Sequence, residues 1–448
     1  MERFDVDAQT LNDLQVFGKG KRDRSVFSTF NFTTTLGGLE KLRIIFENPL
    51  IDIELIAHRK QLIAFLQKEA IEMDFDKESI DFIEFFLNQR TEPKPFSKFR
   101  VVKDSVNNFT GLTQESYNKL RGIHGILDLI KVLHEFSQNL NDDGLPELLL
   151  NIKTAVLEIA EVPDIKSGLN TRPGILNISE LAKCDFLIRK TLLKKIKALL
   201  ELVYQLDAYL SVVKAANTHG LSYPVLNGDK KRMIKMQGVF HLFVDDAIAN
   251  DVEFSLDQNV CFVTGVNMAG KSTFLKSIAV CVYLAHLGFP VPARYMEFSV
   301  FDGLITTINL SDNLNEGYSH FYNEVRRVKH VAEKISASKS MVVVFDELFR
   351  GTNVKDAYDA SLSIIDAFSK IRDSFFVVST HITEVAKELE QNANINFSFL
   401  ETRMVDGRPV FSYQLKKGIT DERMGMWIVE NEGILEILKG KIESNVLK

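Results

Sequence analysis

Residues 265–272 read GVNMAGKS, and that run confines the second half of the chain to a narrow set of folds. A GxxxxGKS loop holds phosphate only where it joins a strand to a helix. There the glycines let consecutive backbone N–H groups curl around the β- and γ-phosphates, and the helix N-terminus adds partial positive charge. Both flanks meet the requirement. Asn259–Thr264 (NVCFVT) is an apolar, β-rich run of the buried-strand type, and Thr273–Leu284 is apolar at helical spacing. Gly265, Val266, Asn267, Met268, Ala269, Gly270, Lys271, Ser272 and Thr273 are therefore the expected phosphate binders. Lys271 is expected to reach the β/γ oxygens, and the Ser272 hydroxyl to take a Mg²⁺ site.

Two further apolar runs, MVVVF (Met341–Phe345) and FFVVS (Phe375–Ser379), have the character of buried parallel strands, each followed by a helical stretch. The first runs straight into Asp346 and Glu347. Carboxylates at the end of a buried strand need a cation or a solvent-filled cleft to satisfy them. Asp346 is placed to share the Mg²⁺ shell with Ser272, and Glu347 to polarise a water for in-line attack on the γ-phosphate. FFVVS ends in Thr380 and His381; a histidine there can sense the γ-phosphate or the attacking water, although a strand-end histidine is also an ordinary surface residue.

The first half reads as helical. Leu120, Ile123, Ile126, Leu127, Ile130 and Leu133 form one apolar stripe. A second runs from Leu192 to Leu210 through a long helix starting near Ser179. Thr218–Asp229, with Gly220, Pro224 and Gly228, breaks that helix and marks a domain boundary, and NTRPG (Asn170–Gly174) is turn chemistry. Ile428–Lys448 reads as a short helical tail. With 448 residues, 45% hydrophobic and 25% charged, there is material for two or three cores. A net charge of −6 gives no global pull toward nucleic acid, so any such contact must come from local patches. Cys184, Cys261 and Cys281 are scattered in apolar surroundings, as core residues of a reducing compartment would be. No run reaches membrane-spanning length and the N-terminus carries acids, so a cytoplasmic protein is expected.

Taken in order, TGVNMAGKST, SDNLNEGYSHFYNEV (Ser311–Val325), FDELFRGTN (Phe345–Asn353) and STH (Ser379–His381) resemble the ATPase domain of the MutS mismatch-repair family. VDAQTLNDLQVF (Val6–Phe17), TTTLGGLEKLRIIFENPLIDIELIAHRKQLI (Thr33–Ile63) and LDAYLSVVKAA (Leu206–Ala216) are similar to that family's helical core, or lever, domain. The resemblance implies an α/β P-loop ABC-type ATPase domain over 226–448, preceded by an all-α core/lever domain over 1–225. It also implies ATP and Mg²⁺ as cofactors, and a homodimer with composite sites. Ser319, in the pattern SxFxxE with Phe321 and Glu324, would reach the other subunit's γ-phosphate; by spacing alone Ser319 reads equally as a helix N-cap. Asp312 and Asn313 fall where the family couples nucleotide to the rest of the molecule, and Asp356 where it crosses to the partner. Ile248 and Tyr413 match the two faces of the adenine pocket, though either could be a core residue.

Several positions depart from the family. Val266 replaces a proline and Ala269 a glycine; Ala269 therefore needs a negative φ. Phe349 replaces a glycine and is expected to put a bulky ring near the catalytic edge, which bears on the hydrolysis rate. The match begins at the lever, so the mismatch-reading and connector domains are expected to be missing, and the clamp absent or reduced. DNA contact would rest on Arg189, Lys190, Lys194, Lys195 and Lys197, with Lys41, Arg43, Lys98 and Arg100 scattered elsewhere; a solvated helix face explains such a cluster as well. Two functions stand at this point: a DNA-associated dimeric ATPase of slow, partner- or DNA-modulated turnover, and an ATP-gated protein-interaction switch without DNA contact.

Overall fold

The computed structural model describes residues 3–18, 20, 23–90, 114–169, 178–228, 231–266, 268–308, 320–337, 339–405, 408–420, 427, 431–434 and 437–438. The expected turn at NTRPG lies outside them, as does most of the C-terminal tail. The chain forms two compact units. One comprises Met1–Thr29, Asn48–Ala57 and Thr218–Lys448, the other Phe30–Glu47 and His58–Asn217. This differs from the expected single cut at 225/226, because two N-terminal stretches pack with the C-terminal part.

Helices α1 (Ala8–Asp13), α2 (Val26–Phe30), α3 (Leu36–Glu47), α4 (Ile53–Lys68), α5 (Lys77–Leu87), α6 (Gln114–Gln138), α7 (Glu147–Ala160), α8 (Pro163–Leu169), α9 (Ile178–Phe186) and α10 (Leu193–His219) occupy the first half, with a π-helical turn at Leu187–Leu192 before α10. The second unit contains helices and no strand among its described residues. Both apolar stripes face its core: Ile123, Ile126, Ile130 and Leu133 of α6 and Ile196, Leu199, Val203 and Leu206 of α10 are buried. The TTTLGG segment is fastened to α10 by Asp207, a buried carboxylate. It accepts from Thr35 N (2.9 Å) and Oγ1 (2.7 Å) and from Thr34 N (3.1 Å) and Oγ1 (3.2 Å).

The first unit carries the strands β1 (Val225–Leu226), β2 (Met233–Val239), β3 (Asn250–Ser255), β4 (Val260–Thr264), β5 (Tyr295–Phe298), β6 (Gly303–Thr307), β7 (Met341–Phe345), β8 (Phe375–Ser379), β9 (Ile395–Val405) and β10 (Arg408–Lys417). Helices α11 (Lys271–His286), α12 (His320–Ser336), α13 (Val354–Ser369) and α14 (Thr383–Glu388) alternate with them. A six-stranded sheet has the order β10-β9-β4-β8-β7-β6, with β9 through β6 parallel and β10 antiparallel at one edge. A four-stranded sheet has the order β1-β5-β2-β3. Every residue of β4, β7 and β8 is buried, which is why these strands read as unbroken apolar runs. Cys261 sits in β4 and Cys281 in α11; all three cysteines are buried and unpaired, and burial pushes the Cys184 thiol up to about 11.

The N-terminal stretch joins this unit through polar contacts. Asp5 forms a parallel bridge with Gly303, the first residue of β6, and Asp13, itself buried, accepts from Thr306 Oγ1 (2.8 Å) and Ile308 N (2.9 Å). Asp7 pairs with Arg327 of α12, and Asp5 with Lys334 of the same helix. No helix among the described residues is long and apolar enough to cross a membrane.

Candidate nucleotide site

The loop after β4 turns through left-handed backbone at Gly265 (φ +141°), Met268 (φ +73°) and Gly270 (φ +96°), and α11 begins at Lys271. Ala269 is not among the positive-φ residues; its neighbour Met268 takes that conformation instead and stands 73% exposed. Val266 and Ala269 are buried against Leu400 and give the loop an apolar backing. Lys271 is buried and its ammonium donates to Gly265 O (2.8 Å) and Val266 O (3.2 Å), closing the loop from within. Burial lowers its pKa, while Glu347 and Asp346 act in the opposite sense. Asn267 lies outside the described residues.

The ends of β7 and β8 meet the start of α11 in one network. Ser272 Oγ donates to Asp346 Oδ2, and Ser379 Oγ donates to Asp346 Oδ1 (2.5 Å). Glu347 N donates in turn to Ser379 Oγ (3.0 Å), and Asp346 N to Thr307 O (2.9 Å). Ser379 is the residue that sequence reasoning left out: it lay in the STH run, yet nothing local signals that its hydroxyl joins two neighbouring strands. Glu347 adopts φ +57° and lies 3.5 Å from Arg350 Nη1. A hydroxyl and a carboxylate are hard oxygen donors of the type Mg²⁺ takes alongside water and phosphate. No group of three His, Cys, Asp or Glu able to hold a metal occurs among the described residues. The donor set thus fits a cation that phosphate helps to hold.

Phe349 is part of the core as well as of the strand-end pocket. Its ring is buried and lies 5.7 Å from that of Phe321, and the residue lines a small pocket together with Asp346, Glu347 and Arg350. Its φ of +61° is a backbone state that glycine adopts freely. Glu324, also buried, accepts from Arg350 N (3.2 Å) and Gly351 N (3.3 Å) and so holds the loop that follows Glu347. Asp356 sits in the first turn of α13, where its N–H donates to Asn353 Oδ1 (2.9 Å). His381 is exposed, two residues past Ser379. Ser319, Asp312 and Asn313 lie outside the described residues.

Ile248 and Tyr413 are brought together although 165 residues separate them in sequence. Both line a cavity of about 450 Å³ with Met268, Gly270, Thr273 and Phe274, directly over the loop. Each is nearly half exposed, so neither is a core residue. Tyr413 lies in β10 where the register against β9 shifts between Phe411 and Leu415, and it takes φ +55°.

The basic cluster looks different in three dimensions. Arg189 is buried, paired with Asp185 through Nε (2.5 Å) and Nη2 (2.9 Å), and its guanidinium lies 5.2 Å from the centre of the Phe86 ring. Lys190, Lys194, Lys195 and Lys197 are all exposed; Lys195 bonds Glu158 (2.9 Å) and Lys197 bonds Asn88 (2.8 Å). Lys41 and Arg43 pair with Glu201 and Glu47, while Lys98 and Arg100 lie outside the described residues.

Comparison with known proteins finds similar sequences over the part of the chain that carries this loop. Residues 261–441 match the family model described as MutS domain V. A protein named DNA mismatch repair protein MutS from Lactococcus lactis subsp. cremoris (strain SK11) is 28% identical over 253 residues, 54% of this chain and 29% of that protein. Its namesake from Anaplasma phagocytophilum (strain HZ) is 31% identical over 246 residues, 54% of this chain and 29% of its own. The one from Halalkalibacterium halodurans is 28% identical over 264 residues, 57% and 30% respectively. The matched stretch spans less than a third of the length of these relatives.

Proposed function

We propose, from the match of residues 261–441 to the MutS domain V family model, that this protein is a dimeric ATPase whose nucleotide state alters its grip on DNA. The observation that carries the reading is the single network Ser272–Asp346–Ser379–Glu347 N, which joins the phosphate loop to two strand ends. Lys271 exchanges its loop carbonyls for the β/γ oxygens of ATP. The loop N–H groups and the start of α11 bind the remaining phosphate charge. Ser272 and Asp346 would hold Mg²⁺, which would supply positive charge to the phosphates. Glu347 releases Arg350, orients the attacking water and takes its proton; His381 contacts the γ-phosphate side. Ser319 of a second copy completes the site, so hydrolysis depends on dimerisation and is slow in its absence. Ile248 and Tyr413 enclose the base between an aliphatic and an aromatic face. The helical unit serves as the lever.

A second reading has its own support. Arg189 is buried in an ion pair with Asp185 within the helical unit, and Lys195 is paired with Glu158 at its surface, which weakens the basic face a DNA track would use. An ATP-gated switch that binds a protein through the helical unit fits that chemistry. The deciding experiment follows ATP turnover and oligomeric mass against duplex, mismatched and branched DNA at low salt. Salt-dependent DNA binding coupled to nucleotide supports the first reading; no binding to any DNA, with or without ATP, leaves the switch. Intact ATP binding by Lys271→Ala would remove the phosphate-loop assignment that both share.

A further inference from the structure

Asn250 is the first residue of β3, and its side chain meets both walls of the cavity above the loop. Its Nδ2 donates to Tyr413 O (3.0 Å) and to Ile248 O (3.3 Å), and its Oδ1 accepts from Leu415 N (2.7 Å). The amide orientation follows from that last bond, since only the oxygen can accept from a backbone N–H. One side chain therefore satisfies three backbone groups, two of them belonging to the residues that face each other across the cavity. The third lies at the far end of the β10 irregularity, where register with β9 resumes at Leu415.

The bulge needs such a tie. Tyr413 is an L-residue at φ +55°, and Asp246 nearby is held at φ +54°; left-handed backbone persists in non-glycine residues only where the surroundings impose it. A bulge releases backbone groups from the ladder, and those groups must find partners elsewhere. Asn250 supplies them from the other sheet. The Tyr413 ring, aimed by this backbone, lies against Gly270: a Cβ placed on Gly270 would stand 3.1 Å from Tyr413 Cδ1. The side chain that fixes the bulge thus also fixes how closely the ring approaches the start of α11.

We propose that Asn250, which itself lines the cavity, is a positioning residue for nucleotide-base recognition: its amide sets the separation and tilt of the Ile248 and Tyr413 walls through its hydrogen bonds to their carbonyls. This rests on the nucleotide reading above. Its three hydrogen bonds end on Ile248, Tyr413 and Leu415 and none reaches a phosphate-loop residue, so a ligand without a base reads whatever the Tyr413 ring relays to Gly270. Aspartate is the informative replacement, since it keeps the acceptor for Leu415 N but loses both donors.

The test compares binding of Mg–ATP and of inorganic tripolyphosphate, which carries the phosphates without a base, by titration calorimetry on the full chain. Asn250→Asp is expected to weaken Mg–ATP about tenfold, the scale of one or two lost hydrogen bonds, with tripolyphosphate unchanged. Asn250→Ser, which is smaller and uncharged, is measured in parallel so that a folding failure in one variant leaves the other to decide. Equal losses for both ligands, or no loss for Mg–ATP, overturn the proposal. Tyr413→Ala separates it from its premise. If that variant leaves the ratio of the two affinities untouched, the base site is elsewhere; if the ratio falls in Tyr413→Ala but not in either Asn250 variant, the pocket stands and the positioning role fails.

Discussion

Asp207 and Asp346 are both carboxylates tied to hydroxyls, one in each compact unit, yet they carry opposite assignments. Asp207 projects from α10 into the TTTLGG turn and is saturated by donors of its own chain: two backbone N–H groups and two threonine hydroxyls. Gly38 leaves room for it, since a Cβ there would come within 2.1 Å of Asp207 Oδ2. Asp346 ends a buried strand, holds two serine hydroxyls, and keeps part of its surface open beside the phosphate loop. A carboxylate closed by its own fold serves stability. One left short of partners at the carboxyl edge of a parallel sheet is available to a cation and a nucleotide. The difference lies in how many donors the fold brings, and not in the residue type.

That contrast can be broken in several ways. The largest effect is expected at the open site. Glu347→Ala should slow ATP turnover by about a hundredfold or more, the range for loss of a general base, with the thermal transition unmoved. Unchanged turnover in steady-state assays would return Glu347 to an ordinary strand-end carboxylate. At the closed site the effect should appear in stability. Asp207→Ala, which orphans buried donors, should destabilise the helical unit by about 3 kcal/mol in urea titrations, and Gly38→Ala should approach it by displacing the carboxylate. ATP binding strength should be unaffected in either variant if Asp207 is purely structural; a coupled loss would join the two carboxylates in one mechanism.

Acid should act on the α/β unit through His286. It is fully buried, bonded through Nδ1 to Leu50 O (2.8 Å) and accepting at Nε2 from Phe301 N (3.4 Å). Burial depresses its pKa to about 4, against the opposing influence of Leu50 and Asp302. The unfolded chain takes up a proton near pH 6.5 that the folded chain refuses until about 4, so stability is present above 6.5 and lost as pH falls between those values. The loss should reach about 3 kcal/mol near pH 4, and His286→Gln should flatten the slope in pH-dependent unfolding. The smallest effect is expected from Ser379→Ala, about a tenfold fall in turnover, because it removes one hydroxyl from Asp346 while Ser272 remains. A fall as large as that of Glu347→Ala would promote Ser379 from support to catalysis.

Local signals account for most of what could be read in advance. The loop Gly265–Ser272 announces its strand and helix because phosphate binding by backbone N–H groups works only in that context. MVVVF and FFVVS read as strands because both of their faces are buried. The α6 and α10 stripes follow from helical period alone. The failures share a cause as well. Arg189 looked like part of a basic face because sequence shows charge and not the Asp185 and Phe86 that surround it. The N-terminal stretch was counted with the helices because its partners, Thr306, Ile308 and Arg327, lie about 300 residues away.

The sequence by itself therefore determined the local pattern: a GxxxxGKS loop between a strand and a helix, an acid pair after a buried strand and an α/β frame, each encoded within a few consecutive residues by period or spacing. Only the tertiary structure decided which polar groups are spent on the fold and which stay free for a ligand. That depends on donors and acceptors meeting across long sequence separations, as Asn250 meets Tyr413 and Asp207 meets Thr34. Local pattern carries no record of such pairings.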